Sequence, residues 1–448
     1  MRERALRRAG LVVGGVLVVL ALVRAPSCER EVGTPPLSPP PDVVLMVGDG
    51  FGVGAWGLAR ERARLKGREL ALDGAEEVGF LETRAADALV TDSGAAATAW
   101  STGQLTTRDT IGDTPANLPL LFERLRDAGR AFGLVTTSRI THATPAPFYA
   151  RAPHRDLEDS VAVHLVPARP AVALGGGRRH FLPKTEGGSR EDGRNLLKEA
   201  EAAGFAVLDR FVDPLPPGRP VLGLFHASDL PHELDRKDDE PELAALAVAA
   251  IRRLRTEQRP WFLLVEEGRI DSAAHDFDGP GVASDTERLD RALEAVLGEV
   301  DLRSTLVILA SDHGTASPTF LETAHPESLD VVNASVEAME RRIFEGKPFR
   351  GTPAALEEKA LPVLDEHARH TGLQPEDLDK MLLAANMYER RAAIGDAISR
   401  RFGISFMAYR DLLTSTEVHG HTAEPVPLRA WGVRAREVRG VRDHAELG

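Results

Sequence analysis

The chain has 448 residues, of which 43% are apolar, enough for one large domain or two to three ordinary ones with a sizeable buried core. A single cysteine excludes a disulfide scaffold and every metal site built from several cysteines. The 55 basic and 68 acidic side chains give a formal net charge of −13, which disfavours nucleic acid as a specific partner because a phosphate backbone needs a basic face.

The N-terminal segment predicts export from the cytoplasm. Residues 1–8 carry four arginines and one glutamate, and an unbroken apolar run of fifteen residues follows at 9–23. This run spans roughly 22 Å as a helix, short of the roughly 30 Å of bilayer hydrocarbon, so a cleaved signal or a lipid anchor is favoured over a permanent span. Small residues before Cys28 resemble a bacterial lipoprotein box, although Ala25 stands where leucine is usual. We therefore predict a signal peptide or a lipoprotein signal over residues 1–28, and a mature chain that is periplasmic, membrane-anchored or extracellular.

A proline-rich tether and an α/β domain follow the signal. Residues 29–41 hold five prolines and few apolar residues, which predicts an extended tether. Beyond it, apolar strand-like runs are predicted at 42–48, 131–136, 221–225, 261–265 and 305–310, and helices at 118–128, 195–203, 242–254 and 285–300. Strands without polar alternation, separated by helices, indicate an α/β fold with a mostly parallel central β-sheet and helices on both faces. In such sheets, functional residues collect at the carboxyl ends of the strands.

Acidic residues and histidines follow three of the predicted strands. They are Asp49 after the first strand, Glu266, Asp271 and His275 after the strand at 261–265, and Asp312 and His313 after the strand at 305–310. Taken singly, each is more simply a turn residue, a helix cap or a surface group. Together, four carboxylates at one sheet edge would repel one another unless cations lay among them, and oxygen and imidazole ligands suit zinc and magnesium.

Ser93 begins a run of small, helix-forming residues. Its hydroxyl would project at a helix N-terminus, where backbone N–H groups and the helix dipole favour an anion. From this segment alone, an N-cap role for Asp92 or Ser93 is the simpler interpretation. Nearby divalent metals would offer another role, because coordination lowers the pKa of a hydroxyl without a histidine base.

These segments, in this order, resemble the alkaline phosphatase family from about Asp42 to about Trp431. The motifs that carry the resemblance are Gly48-Asp49-Gly50, Thr91-Asp92-Ser93, Thr141-His142-Ala143-Thr144-Pro145, Gly175-Gly176-Gly177-Arg178, Glu266 through Asp271 and His275, Asp312-His313-Gly314, and His421-Thr422. The resemblance implies an alkaline-phosphatase-like fold for residues 42–448. It also implies a phosphoserine mechanism acting on small-molecule phosphate monoesters.

The resemblance assigns roles to particular residues. It implies Ser93 as the nucleophile and Arg155 as the arginine that clamps phosphate. The implied ligands are Asp271, His275 and His421 for a first zinc ion, Asp49, Asp312 and His313 for a second zinc ion, and Asp49, Thr144 and Glu266 for a magnesium ion. Thr144 and Arg155 come from the resemblance alone.

Several features depart from the family pattern. His142 stands where some members have aspartate, which implies weaker or exchangeable magnesium, and Ser272 replaces a bulkier residue, which implies altered phosphate release and pH optimum. His419 competes with His421 as the last zinc ligand. Residues 325–415 are predicted as a variable helical insertion with charged helical segments at 354–366 and 376–400. This insertion either caps the active-site side or forms surface helices. The family also suggests a homodimer.

Two other functions stay open at this stage. A sulfatase is not one of them, because the residues around Ser93 lack the C/S-x-P-x-R pattern of a sulfatase nucleophile. The first open alternative is a phosphodiesterase of the same superfamily. The presence of Ser93, Thr144 and Glu266 together favours monoesters. A non-catalytic, lipid-anchored phosphate-binding protein is the other alternative, and the complete set of nucleophile, clamp and ligands disfavours it.

Overall fold

A ten-stranded sheet forms the centre of the computed structural model, which describes residues 41–369, 372–407 and 420–448. Its strands are β1 (Asp42–Gly48), β2 (Glu77–Glu82), β3 (Ala131–Arg139), β4 (Val172–Gly176), β5 (Ala206–Leu208), β6 (Val221–Leu224), β7 (Trp261–Glu267), β8 (Thr305–Ala310), β13 (Val426–Gly432) and β14 (Gly440–Asp443). Two small two-stranded sheets contain β9 (Gly314–Thr315), β10 (Pro318–Phe320), β11 (Ile404–Phe406) and β12 (His421–Thr422).

The strand order of the large sheet is β14-β2-β13-β8-β1-β7-β3-β4-β6-β5. β13 runs antiparallel to β2 and β8, while the other neighbouring pairs in this sheet are parallel. The predicted α/β fold with a mostly parallel central sheet is therefore confirmed. β1 lies between β8 and β7, so the residues that follow these three strands meet at one edge.

Helices cover both faces of the sheet. They are α1 (Val53–Leu65), α2 (Ser93–Thr102), α3 (Leu121–Asp127), α4 (Glu158–Ala162), α5 (Leu165–Ala168), α6 (Leu196–Ala202), α7 (Leu243–Arg255), α8 (Arg269–His275), α9 (Gly279–Glu299), α10 (Val336–Phe344), α11 (Pro353–Ala368), α12 (Pro375–Leu383) and α13 (Met387–Arg401). Successive side chains of β1 alternate between two cores: Val44 and Met46 pack with α1, α7 and α9, and Leu45 and Val47 pack with α2, α3 and α6. This double burial explains why the strand lacks polar alternation.

The predicted insertion at 325–415 contains α10 to α13 and β11. One helical segment was expected over 376–400, but the structure has α12 and α13, because the Asn386 side chain accepts the Glu389 N–H and starts a new helix. Met339, Leu356 and Ile394 join the core cluster that contains α1 and α9. The insertion thus shares a core with one face of the sheet. Its predicted end overlaps 408–419, which lie outside the described residues.

Other sequence-based predictions also fall outside the described part of the chain. They are the export signal, Cys28, the tether as far as residue 40, and the competing ligand His419. Among the helices of the described residues, none combines the length and apolar character that crossing a bilayer requires.

Candidate active site

Ser93 is the first residue of α2 and faces the clustered ligands. The Asp92 carboxylate accepts the Gly94 and Ala95 N–H groups at 3.0 and 3.2 Å, so Asp92 is the N-cap and the Ser93 hydroxyl is not needed for capping. Ser93 Oγ instead lies 3.2 Å from Nε2 of His313. All of α2 is buried, which explains its run of small residues.

The first ligand group consists of Asp271, His275 and His421, as predicted, with one ligand atom of each within 4.8 Å of the others. Asp271 and His275 share a face of α8, and β12 brings His421 from 146 residues beyond His275. His421 Nδ1 lies 3.1 Å from the Thr91 carbonyl, which can only accept, so the proton is on Nδ1 and Nε2 carries a lone pair. That Nε2 lies 3.2 Å from Nε2 of His275, a pair of imidazole nitrogens that a cation could bridge.

The second group lies deeper, at the ends of β1 and β8. Asp49, Asp271 and His313 bring ligand atoms within 4.8 Å of one another, so Asp271 of the first group also lies next to two residues predicted to hold the second zinc ion. Asp312 lies beside them, with Oδ2 3.4 Å from Nε2 of His313 and Oδ1 accepting the Gly50 N–H at 3.1 Å. Gly50 has a φ of +69°, and a Cβ there would come within 2.9 Å of the Asp271 backbone, so a side chain would push the end of β1 away from α8.

The third group consists of Asp49, His142 and Glu266. Thr144 Oγ1 donates to Asp49 Oδ2 at 3.4 Å, which places the third predicted magnesium ligand next to the group. His142 Nδ1 lies 3.9 Å from Asp49 and 3.8 Å from Glu266, so this histidine joins the site as a candidate ligand. The sequence signalled His142 only as a departure from the family pattern.

The donor atoms at this edge fit metal ions. Four of them are buried yet have no hydrogen-bond partner among the described residues: Asp49 Oδ1, His142 Nδ1, Glu266 Oε1 and Asp312 Oδ2. Glu266 Oε2 is satisfied by the Thr136 hydroxyl at 2.5 Å, which leaves Oε1 directed to the third group. Buried carboxylate oxygens without partners are costly, and a bound cation would satisfy them.

Arg155 is held beside Ser93 by residues of two loops. Its guanidinium donates to Asp92 Oδ2 at 2.9 Å, and its backbone N–H donates to the Asp109 carbonyl at 2.7 Å. The Asp109 N–H in turn donates to Asp92 Oδ1 at 3.0 Å, with Asp109 at a φ of +64°. The side chains of Arg155 and His275 are 22% and 27% exposed, whereas those of Asp49 and His313 are inaccessible. The site therefore has a buried floor and opens beside Arg155 and His275.

The carboxylates of the floor repel one another. Burial, followed by the carboxylates of Asp312, Asp271 and Glu266, holds the pKa of Asp49 well above its usual range. Burial and Asp271 raise the pKa of Asp312 to about 6, and burial lowers the pKa of His313 to about 4. Without cations the floor therefore resists ionisation of Asp49 and Asp312 and protonation of His313, and divalent ions would favour the ionised acids and neutral imidazoles that metal ligation needs.

Comparison with known proteins identifies the family. A family model described as alkaline phosphatase matches residues 41–448. The chain is 34% identical over 401 residues to streptomycin-6-phosphate phosphatase of Streptomyces griseus, covering 77% of this chain and 88% of the relative. It is 29% identical over 426 residues to alkaline phosphatase 3 of Bacillus subtilis, covering 91% and 87%. The crystal structure of Thermus thermophilus alkaline phosphatase matches with a TM-score of 0.80 and 26% identity, covering 92% of this chain and 91% of that one.

The chain belongs to the alkaline phosphatase family. The predicted family resemblance and fold are thereby confirmed, and the chain is an enzyme of a metal-dependent family. The structure brings every predicted site residue of this family member to the carboxyl edge of the sheet: Asp49, Ser93, Thr144, Arg155, Glu266, Asp271, His275, Asp312, His313 and His421. Their individual roles stay predictions. Sequence reasoning missed the hydroxyls of Thr136 and Thr315, which donate hydrogen bonds to Glu266 and Asp271. A single threonine in a sequence does not indicate which side chain its hydroxyl will contact.

Proposed function

We propose that this chain hydrolyses phosphate monoesters through a phosphoserine on Ser93 and releases inorganic phosphate. The observation that carries the proposal is the position of Ser93 Oγ, 3.2 Å from His313 Nε2 and next to overlapping groups of metal ligands. An alcohol held beside clustered carboxylates and imidazoles suits metal-assisted displacement at phosphorus.

Two zinc ions and one magnesium ion fit the donor atoms. Asp271, His275 and His421 would hold the first zinc, and Asp49, Asp312 and His313 the second, because imidazole and carboxylate donors suit zinc. Asp49, Thr144 and Glu266 would hold magnesium through oxygen, and the imidazole of His142 in the same group supports weaker, exchangeable magnesium. When bound, zinc would supply Lewis acidity that lowers the pKa of a hydroxyl and stabilises a leaving oxygen.

The chain's own residues orient the phosphate. The planar guanidinium of Arg155 can donate to two non-bridging phosphate oxygens, and its salt bridge to Asp92 fixes its direction. Because Asp92 also caps α2, one carboxylate sets the positions of both the clamp and the nucleophile. The pKa of Asp92 is lowered although burial opposes this, since Arg155 and three backbone N–H groups favour the charged form.

Two displacements complete the reaction. In the first, Ser93 loses its proton, Oγ forms a bond to phosphorus as the ester bond breaks, and the departing alkoxide takes up one proton from the solvent to leave as the alcohol, which balances the proton that Ser93 lost. In the second, water attacks the same phosphorus, the bond to Ser93 breaks, and the serine oxygen recovers a proton. Arg155 would neutralise charge on the non-bridging oxygens in both steps. Ser93 is 1% exposed, so the attacking water would have to enter beside Arg155 and His275, where the site opens.

Metal analysis combined with rates on a panel of esters tests the proposal. We expect two zinc ions per chain, activity abolished by a chelator, and a strong preference for p-nitrophenyl phosphate over the corresponding diester. Equal or greater diester activity would favour the phosphodiesterase, and phosphate binding without turnover would favour the non-catalytic protein. Trapping at low pH should place a phosphate on Ser93, with Ser101, a buried serine of the same helix, unmodified.

The relatives guide the choice of substrates. One is named for streptomycin 6-phosphate and another only as an alkaline phosphatase, so their names support monoesters as a class. A useful panel therefore compares streptomycin 6-phosphate with small, neutral alkyl phosphates. A preference for the former in kcat/KM would add streptomycin 6-phosphate to the proposed substrates of this chain.

We also propose that the mature protein acts outside the cytoplasm, with residues 1–28 as its export signal. The charged and apolar segments at 1–23 support this, and Cys28 supports a lipid anchor. Cell fractionation of the wild type and C28A separates the alternatives, since loss of membrane association in C28A would indicate lipidation. The homodimer that the resemblance implies is tested by mass in solution.

A further inference from the structure

The hydroxyl of Thr315 lies between ligands of the two proposed zinc ions. Thr315 Oγ1 donates to Asp271 Oδ1 at 2.6 Å, and it lies 3.2 Å from Nδ1 of His313. Asp271 belongs to the first proposed zinc site and His313 to the second. Thr315 is 1% exposed, so water does not compete for these contacts.

The direction of each hydrogen bond follows from the atoms involved. An ionised carboxylate only accepts, so the single Thr315 proton points to Asp271, and the hydroxyl oxygen is left to accept from Nδ1–H of His313. A neutral imidazole carries one proton, so Nε2 of His313 then carries a lone pair, toward which Ser93 Oγ lies at 3.2 Å. That nitrogen faces Asp312 Oδ2 at 3.4 Å and Asp49 Oδ1 at 3.7 Å, which is the orientation that metal ligation requires.

The fold holds Thr315 tightly in this position. β9 pairs antiparallel with β12, and the register places Thr315 opposite His421, the third ligand of the first proposed zinc ion. A Cβ at Gly50 would come within 2.8 Å of Thr315 Oγ1, so only glycine leaves room for the hydroxyl between the two strand ends. Residues that follow β1 and β8 therefore meet residues of α8 and β12 around one side chain.

We propose that Thr315 is a positioning residue that couples the two zinc sites, an inference that rests on the proposed zinc-dependent function. Its hydroxyl orients Asp271 for one ion and fixes the tautomer of His313 for the other. Removal of this hydroxyl weakens the binding of both zinc ions. If the hydroxyl oriented only one ligand, its removal would weaken the binding of only one zinc ion.

Zinc titration of the full-length protein against a chromophoric chelator tests the proposal. T315V has nearly the same shape without the hydroxyl, and we expect the affinities for both zinc ions to fall by about 10- to 100-fold. T315S keeps the hydroxyl and should stay within a few-fold of the wild type. T286V is the matched control, because Thr286 is fully buried and its hydroxyl has no hydrogen-bond partner among the described residues.

Each outcome separates the two proposals. If T315V binds both zinc ions as tightly as the wild type does, or loses affinity for only one of them, the coupling role is wrong while the proposed function stays intact. Failure of the wild type to bind zinc would instead overturn the proposed function. If T315V does not fold, nitrogen NMR of the zinc-free wild type tests the inference instead. The His313 signals are assigned because they are missing from the spectrum of H313Q. We expect the proton on Nδ1 of His313, and a proton on Nε2 would contradict the inference.

Discussion

Acidification should destabilise the protein through His444, which packs against α2, the helix that begins with Ser93. Its ring stacks on Trp100 of α2 with centroids 5.3 Å apart, and its side chain is fully buried. Neither ring nitrogen has a hydrogen-bond partner within the described part of the chain. Burial lowers the pKa of His444 from 6.5 to about 3, with Asp443 opposing the shift and His313 adding to it.

The sign of the effect follows from proton uptake. The folded state keeps His444 neutral, whereas the unfolded chain binds a proton below a pH of about 6.5, so unfolding takes up a proton between pH 6.5 and 3. The free energy of unfolding therefore decreases as the pH is lowered through this window, by up to about 1.4 kcal/mol for each pH unit. Between pH 7.5 and 5.0 the contribution amounts to about 2 kcal/mol, a large share of the stability of an ordinary protein.

Urea unfolding of metal-free wild type and H444F at pH 7.5 and 5.0 measures this contribution. Phenylalanine keeps an aromatic ring against Trp100 and cannot bind a proton, so the wild type should lose about 2 kcal/mol more than H444F on acidification. H154Q is the control for the loss of a histidine, because His154 is half-exposed whereas His444 is fully buried. Equal losses in wild type and H444F would refute the reasoning.

Three further predictions concern the active site. S93A should lower kcat by about 10³-fold or more while its zinc content by elemental analysis stays that of the wild type, and loss of the metals as well would contradict a purely nucleophilic role. R155K should raise the inhibition constant of inorganic phosphate by about tenfold, since lysine cannot donate in a planar fork, and an unchanged constant would exclude Arg155 as the clamp. E266Q should abolish magnesium binding by neutralising the partner-free Oε1 while two zinc ions remain, and retained magnesium would move that site away from Glu266.

The helical insertion shows where local sequence patterns stop being sufficient. Helical spacing at 354–366 predicted α11, and the structure extends it to 353–368. The segment at 376–400 was predicted as one charged helical stretch, and a side-chain cap at Asn386 divided it. Caps depend on one hydrogen bond and the direction of the chain before it, so periodicity alone does not reveal them.

The sequence alone determined the elements that present the site. Continuous apolar runs gave the positions of β1, β7 and β8, and a spacing of four residues put Asp271 and His275 on one face of α8. These are local properties, since strand and helix periods act over a few residues. The order of the motifs also indicated the family.

Only the tertiary structure decided how distant side chains meet. Arg155 bonds Asp92 across 63 residues, and His421 Nδ1 reaches the Thr91 carbonyl across 330. The tertiary structure also directs His142 toward Asp49 and Glu266 and places Thr315 between Asp271 and His313. Such contacts depend on the order of strands in the sheet and on the paths of the loops. A hydrogen bond constrains only the two atoms that make it, so these contacts produce no periodic pattern of residues in the sequence.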